Sequence, residues 1–483
     1  MRGPIGMSGG ARRLAFITVS TAVTLLPHDA VAAPVLDGAA LRWPWAVPFV
    51  GILLSIATGP LLYPRFWHRH YGKLAFVWST LTLAPLAALH GAPVAIAAFV
   101  HAILDEFLSF MLLLFALYVV AGGIWVKGDL RGTPLVNGVI IGVGTVIASI
   151  VGTTGAAMIL IRPLLRANMA RLHNAHVVVF FILLVGNIGG ALTPVGDPPL
   201  LVGFLHGVDF FWSARHLWKP TTAVAGVVLA TFVLVDLWFY RKDRLVTPVG
   251  EPVHPSRIRV SGAINLVLIA LIVGSILVSA AWKGGIGFSF FGTRFALEDI
   301  TRDLALLLIA LASLALTPEE HREANGFTWE PIIEVAILFA GIFVCIIPVI
   351  AMIAAGEHGA FAWLVAAVTP GGRPHEIAYF WLTGLLSAFL DNAPTYLVFF
   401  ELAGGNAEQL MGPLAATLAA ISMGSVYMGA LTYLGNAPNL MIYAIAVERG
   451  VRMPSFFGYM LWAGAAMLPP LVLLTIVLSR IVT

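Results

Sequence analysis

The chain is poor in charge. Asp, Glu, Lys and Arg make up 11% of its 483 residues, where a soluble domain carries about 25%. Its polar residues fall in short stretches, which leaves no room for a sizeable soluble domain. Cysteine is nearly absent. The single thiol, Cys345, excludes an internal disulfide and a cysteine-built metal site, and reads as a small apolar core residue. No Gly-x-x-x-x-Gly-Lys loop occurs, so the chain itself is not expected to be driven by ATP. The net charge is only +3, and no basic patch speaks for a nucleic-acid partner.

What is abundant is apolar sequence. Hydrophobic residues make up 59% and the mean hydropathy is +0.94. Ala46–Leu62, Phe107–Val126, Leu135–Val151, Thr221–Phe239, Ala263–Ala281, Ile332–Ile353 and Phe456–Leu478 approach or exceed the ~20 residues that span a bilayer. The reading is an all-α polytopic membrane protein with about 10–12 spans plus shorter hairpin-like pieces. Arg12-Arg13, the apolar stretch Leu14–Leu26 and Ala30-Val31-Ala32 have the three parts of a signal peptide, placed at residues 1–33, with an uncleaved first helix as the rival. Residues 34–240 and 261–483 form two transmembrane halves. The basic, proline-containing stretch 241–260 reads as a cytoplasmic linker. Arg65–Lys73 and Pro318–Glu330 are expected on the same side.

The halves repeat each other. Gly190-Ala191-Leu192-Thr193-Pro194-Val195-Gly196-Asp197-Pro198-Pro199 returns as Gly429-Ala430-Leu431-Thr432-Tyr433-Leu434-Gly435-Asn436-Ala437-Pro438. The offset is 429 − 190 = 239 residues. Glu106 with Phe115-Ala116-Leu117 answers to Glu330 with Phe339-Ala340-Gly341. Gly152-Thr153-Thr154-Gly155 takes the place of Leu390-Asp391-Asn392-Ala393 at an offset of 391 − 153 = 238. Each half therefore runs helix, polar hairpin tip, broken helix. Repetition does not itself show inversion, although the basic loops allow the halves to insert in opposite directions.

Backbone breaks in an apolar segment leave unpaired groups that cost several kcal/mol each unless protein or a wet cavity satisfies them. Matched breaks in two halves point to a transporter's binding site. The candidate ion-binding residues are Thr153, Thr154, Thr193, Gly196, Asp197, Asp391, Asn392, Thr395, Thr432 and Asn436, with Asp197 and Asp391 as ligands of a transported cation. An intramembrane carboxylate is costly and is read as functional by default, though either aspartate can also cap the half-helix that follows it. Asp105, Glu106, Glu330 and Glu334 stand at the heads of apolar helices, where the dipole favours them. Of these, Glu334 is the one most expected to face inward. Glu401 reads as interfacial, His173 and His176 as loop residues, and Arg162 as an anchor or a counter-charge.

Gly189-Gly190-Ala191-Leu192-Thr193-Pro194-Val195-Gly196-Asp197-Pro198-Pro199 resembles the signature of the ion transporter superfamily, which includes arsenite pumps, sodium/proton antiporters and citrate symporters. Leu390-Asp391-Asn392-Ala393-Pro394 is similar to that group's second hairpin tip. Within it, the chain looks most like a citrate transport family whose members are often labelled sodium/proton antiporters. The resemblance implies two inverted repeats with re-entrant hairpins and broken helices, a scaffold part and a transport part, and a homodimer. Dicarboxylate symporters of the group carry Ser-Asn-Thr at both tips. Here the tips read Thr153-Thr154-Gly155 and Asp391-Asn392-Ala393, and an aspartate would repel a carboxylate unless a cation or a proton neutralised it.

These features point to a secondary transporter in a bacterial-type inner membrane. Its partners would be membrane lipid and a small ion, and it would need no cofactor. Sodium/proton antiport leads, because a buried aspartate can hold a proton or a metal ion and their competition couples the fluxes. Citrate, free or as a metal complex, is the alternative, and arsenite export a third. An aspartyl-protease dyad is disfavoured: Pro194-Val195-Gly196-Asp197 lacks the first glycine of Gly-x-Gly-Asp, and paired carboxylates alone do not make a catalytic site.

Overall fold

The computed structural model describes residues 36–128, 130–246, 259–282 and 284–482. The signal-like segment and most of the proposed linker lie outside them. Residues 241–246 continue the long helix Trp212–Val246 instead of beginning a linker.

The described chain is almost wholly helical, with only two short antiparallel strand pairs. Seven helices are long and apolar enough to cross a membrane. One of them, Pro134–Val151, is an arm of a hairpin whose second arm is Thr153–Asn168. The bent pair Glu330–Cys345 and Ile347–Ala354 passes the same test if it is one span. Shorter apolar helices, Ala175–Leu184 with Pro198–Leu205 and Ala415–Met428 with Ala437–Glu448, flank the two breaks. By length and composition the described residues thus offer seven or eight spans, against about 10–12 read from the sequence. A second hairpin, Glu376–Phe389 with Asn392–Leu402, is re-entrant like the first.

The two feet of each hairpin lie side by side. Gly132 N–H donates to Ala167 O at 2.8 Å at the base of the first. Tyr379 Oη–H donates to Leu402 O at 3.2 Å at the base of the second. Asparagine lends the first base further hold, since Asn137 and Asn168 exchange side-chain bonds at 2.9 and 2.7 Å.

The halves are inverted. The span Ala92–Gly122 ends where Asn325 donates to Gly122 O and Ile124 O, at 3.0 and 2.5 Å. Tyr118 Oη–H reaches Thr328 O at 2.7 Å beside it. Its counterpart, Glu330–Cys345, begins on that same face. One helix ends where its repeat mate starts, so the two run in opposite directions. The strand Arg259–Ser261 pairs with Trp125–Lys127, and Trp67 Nε1–H donates to Glu334 at 2.8 Å. The three polar stretches expected on one side therefore do share a face, the basic face.

One expectation changes here. Glu106 does not head a helix: the span begins at Ala92 and passes through a π-helical turn, His101–Phe107, that carries Glu106. Glu334 turns inward onto the buried Trp67 of the helix Pro64–His90. Large apolar residues on the outer helices, such as Phe76, Leu135 and Leu461, are more than two-thirds exposed. That is what lipid contact allows, since an outer apolar surface needs no aqueous shielding.

Candidate functional site

The breaks are held open by a repeated set of hydrogen bonds. Thr193 Oγ–H donates to Ser149 O, and Thr432 Oγ–H donates to Ala388 O at 2.5 Å. Each threonine hydroxyl also accepts the N–H three residues on, Gly196 at 3.2 Å and Gly435 at 3.0 Å. Ser149 Oγ–H reaches Gly189 O at 2.5 Å, and Ser387 Oγ–H reaches Ser425 O at 2.6 Å. Groups that the unwound backbone leaves unpaired thus find partners on the neighbouring hairpin, as burial in lipid requires. Glycine is needed where the break folds back. A Cβ on Gly196 would lie 2.2 Å from Gly190 O, and one on Gly435 2.6 Å from Gly429 O.

The register is 239 at the threonine staples and at the starts of the two hairpin helices. Gly152 precedes the helix that begins at Thr153, and Asp391 precedes the one that begins at Asn392. The mate of Asp391 is therefore Gly152, and the mate of Asn392 is Thr153; the sequence pairing at 238 is one residue off. Gly152 takes φ +81, a left-handed conformation open to glycine at little cost. Its mate Asp391 is extended instead and caps its helix with its side chain.

Asp197 sits where the repeats touch. It is 1% exposed and makes no side-chain cap to the helix that follows it. Its carboxylate accepts from Thr153 Oγ1 at 3.1 Å, Asn392 Nδ2 at 2.8 Å and Asn436 Nδ2 at 3.1 Å. Asn436 is its own repeat mate, so the pseudo-twofold axis passes between them. Both hairpin tips and both breaks meet on this one carboxylate. Asp391, half-buried, accepts from Ala393 N–H at 3.1 Å, so the capping reading holds for Asp391 and fails for Asp197.

A cavity of about 90 Å³ lies against these groups. Its polar lining comes from Thr153, Thr154, Asp197, Asp391, Asn436 and Tyr118, and the rest is mostly apolar, including Leu117, Ile332, Phe339 and Met441. No Lys, Arg or His lines it. The N-terminal ends of the helices starting at Thr153, Pro198, Asn392 and Ala437 approach it, bringing four positive dipole ends near two carboxylates. Gly196 also lines it. Thr193, Thr432 and Thr395 do not. The first two staple the breaks, and Thr395 Oγ–H returns to Asp391 O at 2.9 Å. Asn392 is fully buried and reaches the site through Asp197, and its Oδ1 has no partner among the described residues.

Sequence reasoning missed a second layer. Asn187 Nδ2–H donates to Asn439 Oδ1 at 2.7 Å, joining the two broken helices. Asn439 in turn donates to Gly429 O at 2.9 Å and Thr432 O at 3.2 Å. It also missed a buried ionic cluster near the basic face. Asp236 is fully buried, with Arg171 Nη1 at 2.6 Å, His176 Nε2 at 2.8 Å and Asn137 Nδ2 at 2.9 Å. His176 is a core residue of its helix and not a loop residue. His173, half-exposed, meets Asp243 at 2.5 Å. An aspartate inside the apolar run Thr221–Phe239 was the available signal.

The family described as "Putative citrate transport" matches residues 38–479. The chain belongs to it. This protein is a multi-pass membrane transporter. No curated protein matches the chain.

Proposed function

We propose that the protein exchanges a small monovalent cation of the sodium class for protons, with Asp197 and Asp391 as the groups that carry both. The observation behind this reading is the setting of Asp197: a buried carboxylate held by three neutral donors beside a cavity with no cationic side chain. A charge so placed is costly unless something neutralises it. A proton or a metal ion serves, and the two exclude each other. Free citrate would bring up to three negative charges to a wall that offers two carboxylates and few other polar groups.

On the side opposite the basic face, a cavity of about 510 Å³ is lined by Asp105, Glu106, Asp209 and Asp299 together with His101, His206 and Arg302. Its acids are paired, His101 with Asp105 and Glu106 at 3.2 and 3.3 Å, Arg302 with Asp299 at 2.8 Å and Arg215 with Asp209 at 3.3 Å, so this mouth does not bear on the sign of the substrate's charge. The basic face is cytoplasmic by the positive-inside rule, in a bacterial-type inner membrane.

A second reading is uptake of citrate as a metal complex. The family description favours it, and the four helix N-termini give carboxylates a partner. Proteoliposomes separate the two. Sodium-dependent alkalinisation or acidification of the lumen without citrate supports exchange. Citrate uptake that demands a divalent metal, with no sodium-driven pH change, replaces it with the second reading.

A further inference from the structure

A separate cavity of about 330 Å³ opens at the basic face between the end of the first hairpin and the end of the second broken helix. Five arginines line it and no acidic residue does: Arg162, Arg166, Arg171, Arg449 and Arg452. Arg171 is already neutralised by Asp236 and Asp243, at 2.6 and 3.5 Å. The other four have no carboxylate within 4.0 Å among the described residues. Arg162 is the telling one. It is only 9% exposed; among the described residues its one hydrogen bond is a long 3.4 Å contact from Nη2 to Gly326 O, and its Nε is buried without a partner. Arg171 Nη2 is also buried and unpartnered. Those two atoms are closed off from the open space, so what the cavity itself presents is the exposed rim of Arg166, Arg449 and Arg452 beside the buried Arg162.

Arginines gathered without a carboxylate between them repel one another until a counter-charge is supplied. A guanidinium fork matches a planar or tetrahedral oxyanion bidentately. From this we infer that the arginine cavity is a binding site for a multivalent oxyanion of the phosphate or polycarboxylate class. It is distinct from the ion site, yet tied to it by two helices. Thr153–Asn168 and Ala437–Glu448 each begin at the Asp197 cavity and end at this one. An oxyanion here bridges the first repeat's hairpin to the second repeat's broken helix. Exposed Met169 and Leu172 flank the arginines, so the same chemistry suits a soluble anion or the headgroup of an anionic lipid whose chains lie along them.

The test uses purified full-length protein in neutral detergent at fixed sodium, with ionic strength held constant by choline chloride. Thermal unfolding is followed against inorganic phosphate in one arm. In the other it is followed against dioctanoyl phosphatidylglycerol, with dioctanoyl phosphatidylcholine as control. The expected result is saturable stabilisation in at least one arm, weakened tenfold or more in midpoint by R449Q/R452Q. These two exposed rim residues can be changed without opening the core. Phosphate alone assigns a soluble anion, and phosphatidylglycerol alone assigns a lipid. Arg162→Gln should weaken the same arm. Absence of saturable stabilisation in both arms, or an unchanged midpoint in R449Q/R452Q, overturns the assignment.

Discussion

Replacing Asp391 by Asn separates its two duties. The side chain caps the helix Asn392–Leu402 through Ala393 N–H at 3.1 Å, and its carboxylate also lines the Asp197 cavity. Asparagine is as good an N-cap as aspartate, so stability should change by no more than about 0.5 kcal/mol on that account. The lost charge is a larger matter. A unit charge about 4 Å from a cation contributes roughly 4 kcal/mol at an effective dielectric of about 20. At 1.4 kcal/mol per decade that is about a thousandfold in affinity. Asp391→Asn should therefore unfold at nearly the wild-type temperature while its half-saturating sodium rises about a thousandfold. Asp391→Ala loses the cap as well, at about 1 kcal/mol, and should show both defects. The readouts are thermal unfolding in detergent and sodium-driven pH change in proteoliposomes. Wild-type sodium dependence in Asp391→Asn would refute the reasoning and leave Asp391 as a cap alone.

Other consequences follow from the geometry. Gly196→Ala sets a Cβ 2.2 Å from Gly190 O, and since backbone cannot yield cheaply the variant should lose transport and several degrees of thermal stability. Thr193→Val removes the hydroxyl that joins Ser149 O to Gly196 N–H. About 1–3 kcal/mol of stability should go with it, and an unchanged unfolding curve would show the staple to be idle. Asn436→Asp puts a second carboxylate against Asp197, in place of a donor 3.1 Å away. The pair then holds a shared proton that sodium must displace, so sodium-driven flux should fall at neutral pH and its optimum should move to higher pH. Trp67→Phe breaks the bond to Glu334, and neither residue lines the cavity. Stability should fall by about 1 kcal/mol with sodium half-saturation unmoved.

Much of the site was legible because breaking a helix in lipid demands conspicuous residues. The twin phrases at Gly190 and Gly429 located both breaks, and hydrophobic length located the spans. What the phrases hid was the division of labour. Thr193, Thr432 and Thr395 look like ligands in sequence, since hydroxyls suit cations, but each is spent on backbone that the break leaves bare. The one-residue error at the hairpin tips arose because Gly152 and Asp391 fill the same position for different reasons, one by left-handed backbone and one by a side-chain cap. Asp236 was passed over inside an apolar run, and with it His176, because their partnership joins residues 60 apart. Inversion, too, needed the fold: only the meeting of Asn325 with Gly122 O and Ile124 O shows where the first half ends relative to the second.

Competition between sodium and protons for the two aspartates is the centre of the account. It is tested most directly by the apparent sodium affinity of the purified transporter, titrated over about pH 6–9, a range that brackets a carboxylate shifted by burial. The wild type should bind sodium more tightly as pH rises, and Asp197→Asn and Asp391→Asn should each flatten and weaken that response. Sodium binding that ignores pH, together with tight metal-free citrate binding retained in both variants, would contradict it.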